Sequence, residues 1–186
     1  GLASDSDGSN LIAGVYGGYV YTSTDSGVSW AQNLTSGGNK YWRAIASDND
    51  GSNLIAGAAS GRLYTSSNSG TNWTERQPAG AADRAWFGAA SDSDGSNLIA
   101  VAKDSWTNSQ GRVYTSSDSG VNWTERTPAG AGVYKEWWAA ASDSDGSNLI
   151  VTDSNGDIGG GRIYTSSDSG ASWTERQPAG DVNKYW

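Results

Sequence analysis

The 186-residue chain contains no cysteine, no histidine and no methionine, and only three prolines and one phenylalanine. Without cysteine there is no disulfide and no thiolate metal site, so the redox compartment cannot be read. Without histidine the commonest general base and the commonest metal ligand are both missing. The missing methionine leads to the expectation of a processed or excised product whose signal peptide, if any, is already gone. No apolar run approaches the roughly 20 residues of a membrane span. Positive charge is scarce as well. The formal net charge is −8, which argues against a nucleic-acid surface, since that needs a basic stripe. Low hydrophobicity and 26 glycines would suit a disordered chain, but 10 tryptophans and 9 tyrosines do not, because aromatic rings bury large areas and disordered chains are poor in them.

What is present is a repeat. The phrase ASDSDGSN begins at Ala3, Ala90 and Ala141, and ASDNDGSN begins at Ala46, at spacings of 43, 44 and 51 residues. From Ala141 through the last residue and back to Ala3 is a further 48. The final NKYW (183–186) matches NKYW at 39–42, so joining the two ends recreates a repeat junction. Four repeats cut inside one repeat suit a ring whose first and last segments share a sheet, whereas an open solenoid carries distinct caps.

Within the third repeat, AWFGAAS (85–91), LIAVA (98–102), GRVYTSS (111–117) and VNWTERT (121–127) read as short strands A to D. The Asp-Gly turn of DSDGSN joins A to B, and DSG (118–120) joins C to D. Four strands per repeat of this length suit a propeller blade. The expected fold is therefore an all-β propeller of four-stranded antiparallel blades. Residues 1–186 would form one domain of four blades, with the N- and C-termini closing the circle in one blade.

The C–D junction of every repeat has the pattern Ser-x-Asp-x-Gly-x-x-Trp. It falls at Ser23/Asp25/Gly27/Trp30, Ser66/Asn68/Gly70/Trp73, Ser116/Asp118/Gly120/Trp123 and Ser166/Asp168/Gly170/Trp173. This resembles the Asp-box, or BNR repeat, of sialidases, sortilin-type receptor domains, some xyloglucan hydrolases, photosystem assembly factors and propeller lectins. The resemblance implies a propeller and says little about activity. In physical terms the box is a turn. The carboxylate accepts backbone N–H bonds, glycine takes a positive φ, and the tryptophan packs between blades. Asn68 departs from the pattern but keeps an acceptor oxygen, so it should be tolerated.

The repeats differ at one rim. The A–B and C–D turns are nearly constant. The B–C segments (14–19, 57–62, 101–112 and 151–162) and the D-to-A links (35–43, 80–88, 130–138 and 180–186) vary, and they hold every tryptophan outside the boxes. Constant scaffold with variable loops is a usual arrangement for recognition. The candidate ligand-binding residues are therefore Tyr16, Tyr19, Trp42, Arg43, Arg84, Trp86, Trp106, Trp137, Trp138, Tyr185 and Trp186. Trp42, Trp86, Trp137 and Tyr185 share one repeat position, so the alternative for them is a packing role.

Catalysis is not expected. Arg62, Arg112 and Arg162 are one repeated position and Arg76, Arg126 and Arg176 another. Equivalent residues spread round a ring cannot converge on one substrate carboxylate, so a sialidase is excluded. Asp83, Asp104, Glu136 and Asp157 lie in different segments and mark no acid pair. DSDGSN has oxygen donors but not the spacing of a calcium loop, so no metal and no cofactor is expected. Sequons at Asn33, Asn72 and Asn122 are read as accidental, since two lie inside the box strand. The sequence thus points to a non-enzymatic binding module for a glycan, with a protein-binding or assembly scaffold as the rival. A third reading is a recently duplicated or engineered repeat array with no selected ligand. The compartment is left open, with a secreted or cell-surface place favoured. A closed monomer is expected, because the inner strands are small; the alternatives are a homodimeric eight-bladed ring and a piece of a longer array, the last disfavoured by the seamless junction of the two ends.

Overall fold

The computed structural model describes residues 1–33, 38–103, 111–154, 161–180 and Lys184. The chain forms four antiparallel blades in sequence order. The first contains β1 (Leu2–Ser4), β2 (Leu11–Gly14), β4 (Val20–Ser23) and β5 (Ala31–Asn33), with β3 (Tyr16–Gly18) in its B–C segment. The second contains β6 (Lys40–Ser47), β7 (Leu54–Ala58), β8 (Leu63–Ser66) and β9 (Thr74–Arg76). The third contains β10 (Ala85–Ser91), β11 (Leu98–Lys103), β12 (Arg112–Ser116) and β13 (Thr124–Arg126). The fourth contains β14 (Trp137–Ser142), β15 (Leu149–Asp153), β16 (Ile163–Ser166) and β17 (Thr174–Arg176). The marker alanines all lie in innermost strands. Among the described residues there is no helix long and apolar enough to cross a membrane.

The outer strands are shorter than the sequence suggests. Strand D of the third blade starts at Thr124, not at Val121. The chain is still turning there. Val121 N–H donates to the Asp118 carbonyl at 3.2 Å, and Asn122 N–H donates to Asp118 Oδ1 at 2.8 Å. The Ser before the box Asp supports the same turn, its Oγ accepting from Gly120 N–H at 2.9 Å. Ser119 and Gly120 then take φ of 56° and 80°. Asn68 makes the equivalent bond, accepting from Asn72 N–H at 2.8 Å. The amide therefore replaces the carboxylate without loss of the turn.

Neighbouring blades meet at repeated seams, and these hold the core. In each of three seams an isoleucine of strand B faces the next blade: Ile12, Ile55 and Ile99 are at most 1% exposed. It packs there with the tryptophan that begins the next inner strand, in the groupings Ile12–Trp42, Ile55–Trp86 and Ile99–Trp137. The DSDGSN turns supply the polar half. Asn10, Asn53 and Asn97 each donate from Nδ2 to a carbonyl of the next blade, at Asp50, Asp94 and Asp145, over 3.0 to 3.3 Å. Backbone bonds run beside them, from Ser6 to Asn49, Asn49 to Ser93 and Ser93 to Ser144. The first Asp of each turn is occupied in orienting that Asn: Asp5, Asp48, Asp92 and Asp143 accept from Asn10, Asn53, Asn97 and Asn148 at 2.5 to 2.7 Å. The residues that suggested a calcium loop serve blade-to-blade bonding.

The expected four-bladed all-β propeller architecture is present. Lys184 bridges to Gly161 as Arg84 does to Gly61 and Lys135 to Gly111, so the C-terminal segment starts across the fourth blade on the path of an inner strand. The seam between the fourth blade and the first has none of the bonds that mark the other three among the described residues.

Candidate functional site

The variable rim is built on β-bulges. Pairing of β6 with β7 slips between Trp42 and Ala44, β10 with β11 between Trp86 and Gly88, and β14 with β15 between Trp137 and Ala139. A bulge leaves one residue out of the ladder and re-aims it. The residues left out are Arg43, Phe87 and Trp138, one from each of three successive inner strands.

The bulge separates adjacent side chains into two roles. Trp42, Trp86 and Trp137 turn into the seams and are 1%, 1% and 2% exposed. Their rings meet Tyr64, Tyr114 and Tyr164 with centroids 5.4 to 5.6 Å apart. The Nε1–H of Trp42 donates to the Gly18 carbonyl at 3.0 Å and that of Trp86 to the Gly61 carbonyl at 3.1 Å, both in the preceding blade. The expectation that these three bind ligand is corrected: each is buried in a seam and joins its blade to the one before. Arg43, Phe87 and Trp138 instead come together. Phe87 and Trp138 have centroids 5.0 Å apart. The Arg43 guanidinium lies 4.4 Å from the Phe87 centroid and 5.5 Å from that of Trp138. Lys103, at the end of β11, places Nζ 4.8 and 4.7 Å from the same rings. Nζ also donates to Glu136 Oε2 at 3.0 Å and to Ser154 Oγ at 3.3 Å. Two cations thus share two rings, with one carboxylate at the edge, and Trp138 remains 40% exposed. Cation–π contacts of this kind hold both partners in place.

Other rim residues form smaller groups. Tyr16 pairs with Tyr41 through β3 and β6, and their ring centroids are 4.5 Å apart. Both rings are well exposed. Tyr19 is half-buried and its carbonyl accepts from Val15 N–H at 3.0 Å. Arg84 is half-buried, and its backbone exchanges two bonds with Gly61. Arg112 stacks at 4.0 Å on the Tyr134 ring. Trp106, Tyr185 and Trp186 lie outside the described residues, as do Asp104 and Asp157.

The repeated arginines stay within their repeats. Arg76, Arg126 and Arg176 donate from Nε to Thr65, Thr115 and Thr165 Oγ1 at 2.7 to 2.8 Å. Arg62 pairs with Asp83, Arg112 with Glu125 and Arg162 with Glu175. The described rim acids are each beside a base: Asp83 by Arg62 at 2.9 Å, Glu136 by Lys103 at 3.0 Å, and the wholly buried Asp153 by Lys135 at 3.1 Å. Of the clustered residues, Phe87, Lys103 and Glu136 were absent from the candidate set. The signal that could have found Phe87 is its alignment with Arg43 and Trp138, each directly after the repeated tryptophan.

At the opposite rim the box carboxylates are held in charged form by hydrogen bonds. The Ser172 hydroxyl and N–H bring Asp168 down to about 2, and the Asn122 and Ser29 groups lower Asp118 and Asp25 in the same way.

No family model matches the chain, and no curated protein matches it. Solved structures do. A GH74 enzyme from Niastella koreensis superposes with a TM-score of 0.73 at 24% identity, over 94% of this chain and 28% of that one. YCF48 from Cyanidioschyzon merolae gives 0.61 at 16% identity, over 96% and 56%. A nidogen/laminin complex gives 0.66 at 16% identity, over 96% and 64%. The chain spans less than two thirds of the length of each. At these identities the likeness establishes the fold, and the chain is a β-propeller.

Proposed function

We propose that the chain is a non-catalytic binding module of the Asp-box propeller type, and that its ligand docks on the Arg43–Phe87–Lys103–Trp138 cluster. The observation that carries this reading is the bulge at one repeat position, which brings side chains of three blades to one place while the flanking tryptophans stay in the seams. A rigid scaffold offering a variable cluster is built for recognition. The ligand class we favour is a glycan. The exposed part of Trp138 offers an apolar face to the C–H side of a sugar ring. Arg43, Lys103 and Glu136 stand beside it as donors and acceptor for hydroxyls, the pattern of an apolar surface with a few placed polar groups. A non-enzymatic role accords with the described rim acids Asp83, Glu136 and Asp153, each beside a base. The test is a glycan array followed by calorimetry on Trp138→Ala and Arg43→Ala. The expected result is a bound glycan whose affinity falls at least about tenfold, roughly 1.4 kcal/mol, in both variants. Absence of any bound glycan, or affinity indifferent to both changes, sinks the reading.

A second reading, a protein-binding scaffold, rests on Tyr16 and Tyr41. Their paired, exposed rings stand on the same rim, and Tyr, Trp and Arg dominate protein hot spots. YCF48 and the nidogen/laminin complex share the fold. Capture of a protein partner that no sugar displaces, lost in Tyr16→Ala, would favour it.

A further inference from the structure

Among the described residues, the two end blades carry the two halves of one unmade seam. On the outgoing face of the fourth blade, Ile150 is 36% exposed, where its equivalents Ile12, Ile55 and Ile99 are at most 1%. Asn148 Nδ2 donates to Asp143 and Ser147 in its own turn, whereas Asn10, Asn53 and Asn97 each also reach the next blade. Thr165 is half-buried beside Ile150 in a groove of about 430 Å³. Its equivalents Thr22, Thr65 and Thr115 touch the box glycine of the next blade, at Gly70, Gly120 and Gly170.

The incoming face of the first blade shows the matching gaps. Leu2 is 82% exposed, where its equivalent Ile45 is 8%. Trp30 is 45% exposed, while Trp73, Trp123 and Trp173 pack on the seam cores. At Gly51, Gly95 and Gly146 an added Cβ would meet the preceding blade's Asn Cβ at 2.4 Å, and at Gly8 it would meet nothing within 4 Å. The space that an incoming Asn148 needs is open.

We propose that two copies of this chain associate head to tail, the fourth blade of each seating against the first blade of the other, so that both open seams are made and an eight-bladed ring closes. The occupant is specified by continuity with the three seams already present. Ile150 takes the place of Ile99, Asn148 reaches the Asp7 carbonyl as Asn97 reaches Asp145, and Thr165 meets Gly27. A head-to-tail contact closes into a ring or runs on as a filament; two copies with both seams filled leave no open face.

The experiment is light scattering and native mass spectrometry on the 186-residue chain, on Ile150→Asp, on Leu2→Asp, and on an equimolar mixture of the two variants. The wild type is expected at twice 19.3 kDa. Each variant alone should run as a monomer with unchanged circular dichroism, since both residues lie at the surface. The mixture should recover a dimer, because one of its two seams then pairs two unaltered faces. A wild type at 19.3 kDa at every concentration, masses above two copies, a dimer indifferent to Ile150→Asp, or a mixture that stays monomeric would each overturn the proposal. The result does not depend on ligand binding, so it fails or stands separately from the proposed function.

Discussion

Trp86→Ala should destabilise the fold rather than blunt binding directly, and the structure sets the size of the effect. Trp86 is 1% exposed and belongs to the seam core with Ile55, Leu63 and Tyr114. Truncating a buried tryptophan costs about 3–5 kcal/mol, because the surroundings collapse only in part. The Gly61 carbonyl also loses its indole donor, worth about 1 kcal/mol. A loss of about 5 kcal/mol at about 2–4 °C per kcal/mol lowers the melting temperature by about 10–20 °C. Trp138→Ala is the control from the same rim. Trp138 is surface-exposed and mostly touches Phe87 and two cations, so its removal should cost about 1 kcal/mol, the worth of an aromatic pair. The assay is urea and thermal unfolding followed by near-UV circular dichroism. If Trp86→Ala lies within 1 kcal/mol of the wild type, or if the two variants are equally unstable, the division of roles made by the bulge is wrong.

Acid stability should follow the box carboxylates. A folded pKa held below the ordinary value of 3.8 gives stability that is complete above 3.8 and is lost as pH falls through the folded value, about 2 for Asp168. Intrinsic tryptophan fluorescence should therefore stay native from pH 7 to 4 and change only below; a change beginning near pH 5.5 would refute this assignment. Gly95 and Gly80 both have positive φ, 76° and 64°, but only Gly95 faces a neighbour, the Asn53 Cβ at 2.4 Å from an added Cβ. Gly80→Ala should cost about 1 kcal/mol from backbone strain alone, and Gly95→Ala about 3 kcal/mol once overpacking is added; equal losses in urea titrations would rule out a tight Asn seam.

The blade was legible in the sequence because its turns announce themselves locally. An Asp (Asn68 in the second blade), a Gly and a Trp at fixed spacing fold the C–D turn by contacts within eight residues, and they do so four times. The inner strand was legible only in part. Trp42 and Arg43 are adjacent, both variable-rim residues, and composition treats them alike. Their separation depends on a register slip between β6 and β7, which no propensity marks. Lys103 is a plain lysine in sequence, and joins the cluster only because β11 delivers it over rings from the third and fourth blades. The unmade seam was invisible for a different reason. Ile150 reads as identical to Ile99 in the repeat, and only its exposure in the folded chain distinguishes them.

The bulge has a consequence for how such a chain can diversify. Three of the four described inner strands set one side chain outside the ladder and outside the seam. Arginine, phenylalanine and tryptophan already occupy it in successive blades. The position behaves as a single letter per bulged blade, set apart from the tryptophan before it that keeps the wall intact, so the surface of this rim can be rewritten one blade at a time on an unaltered frame.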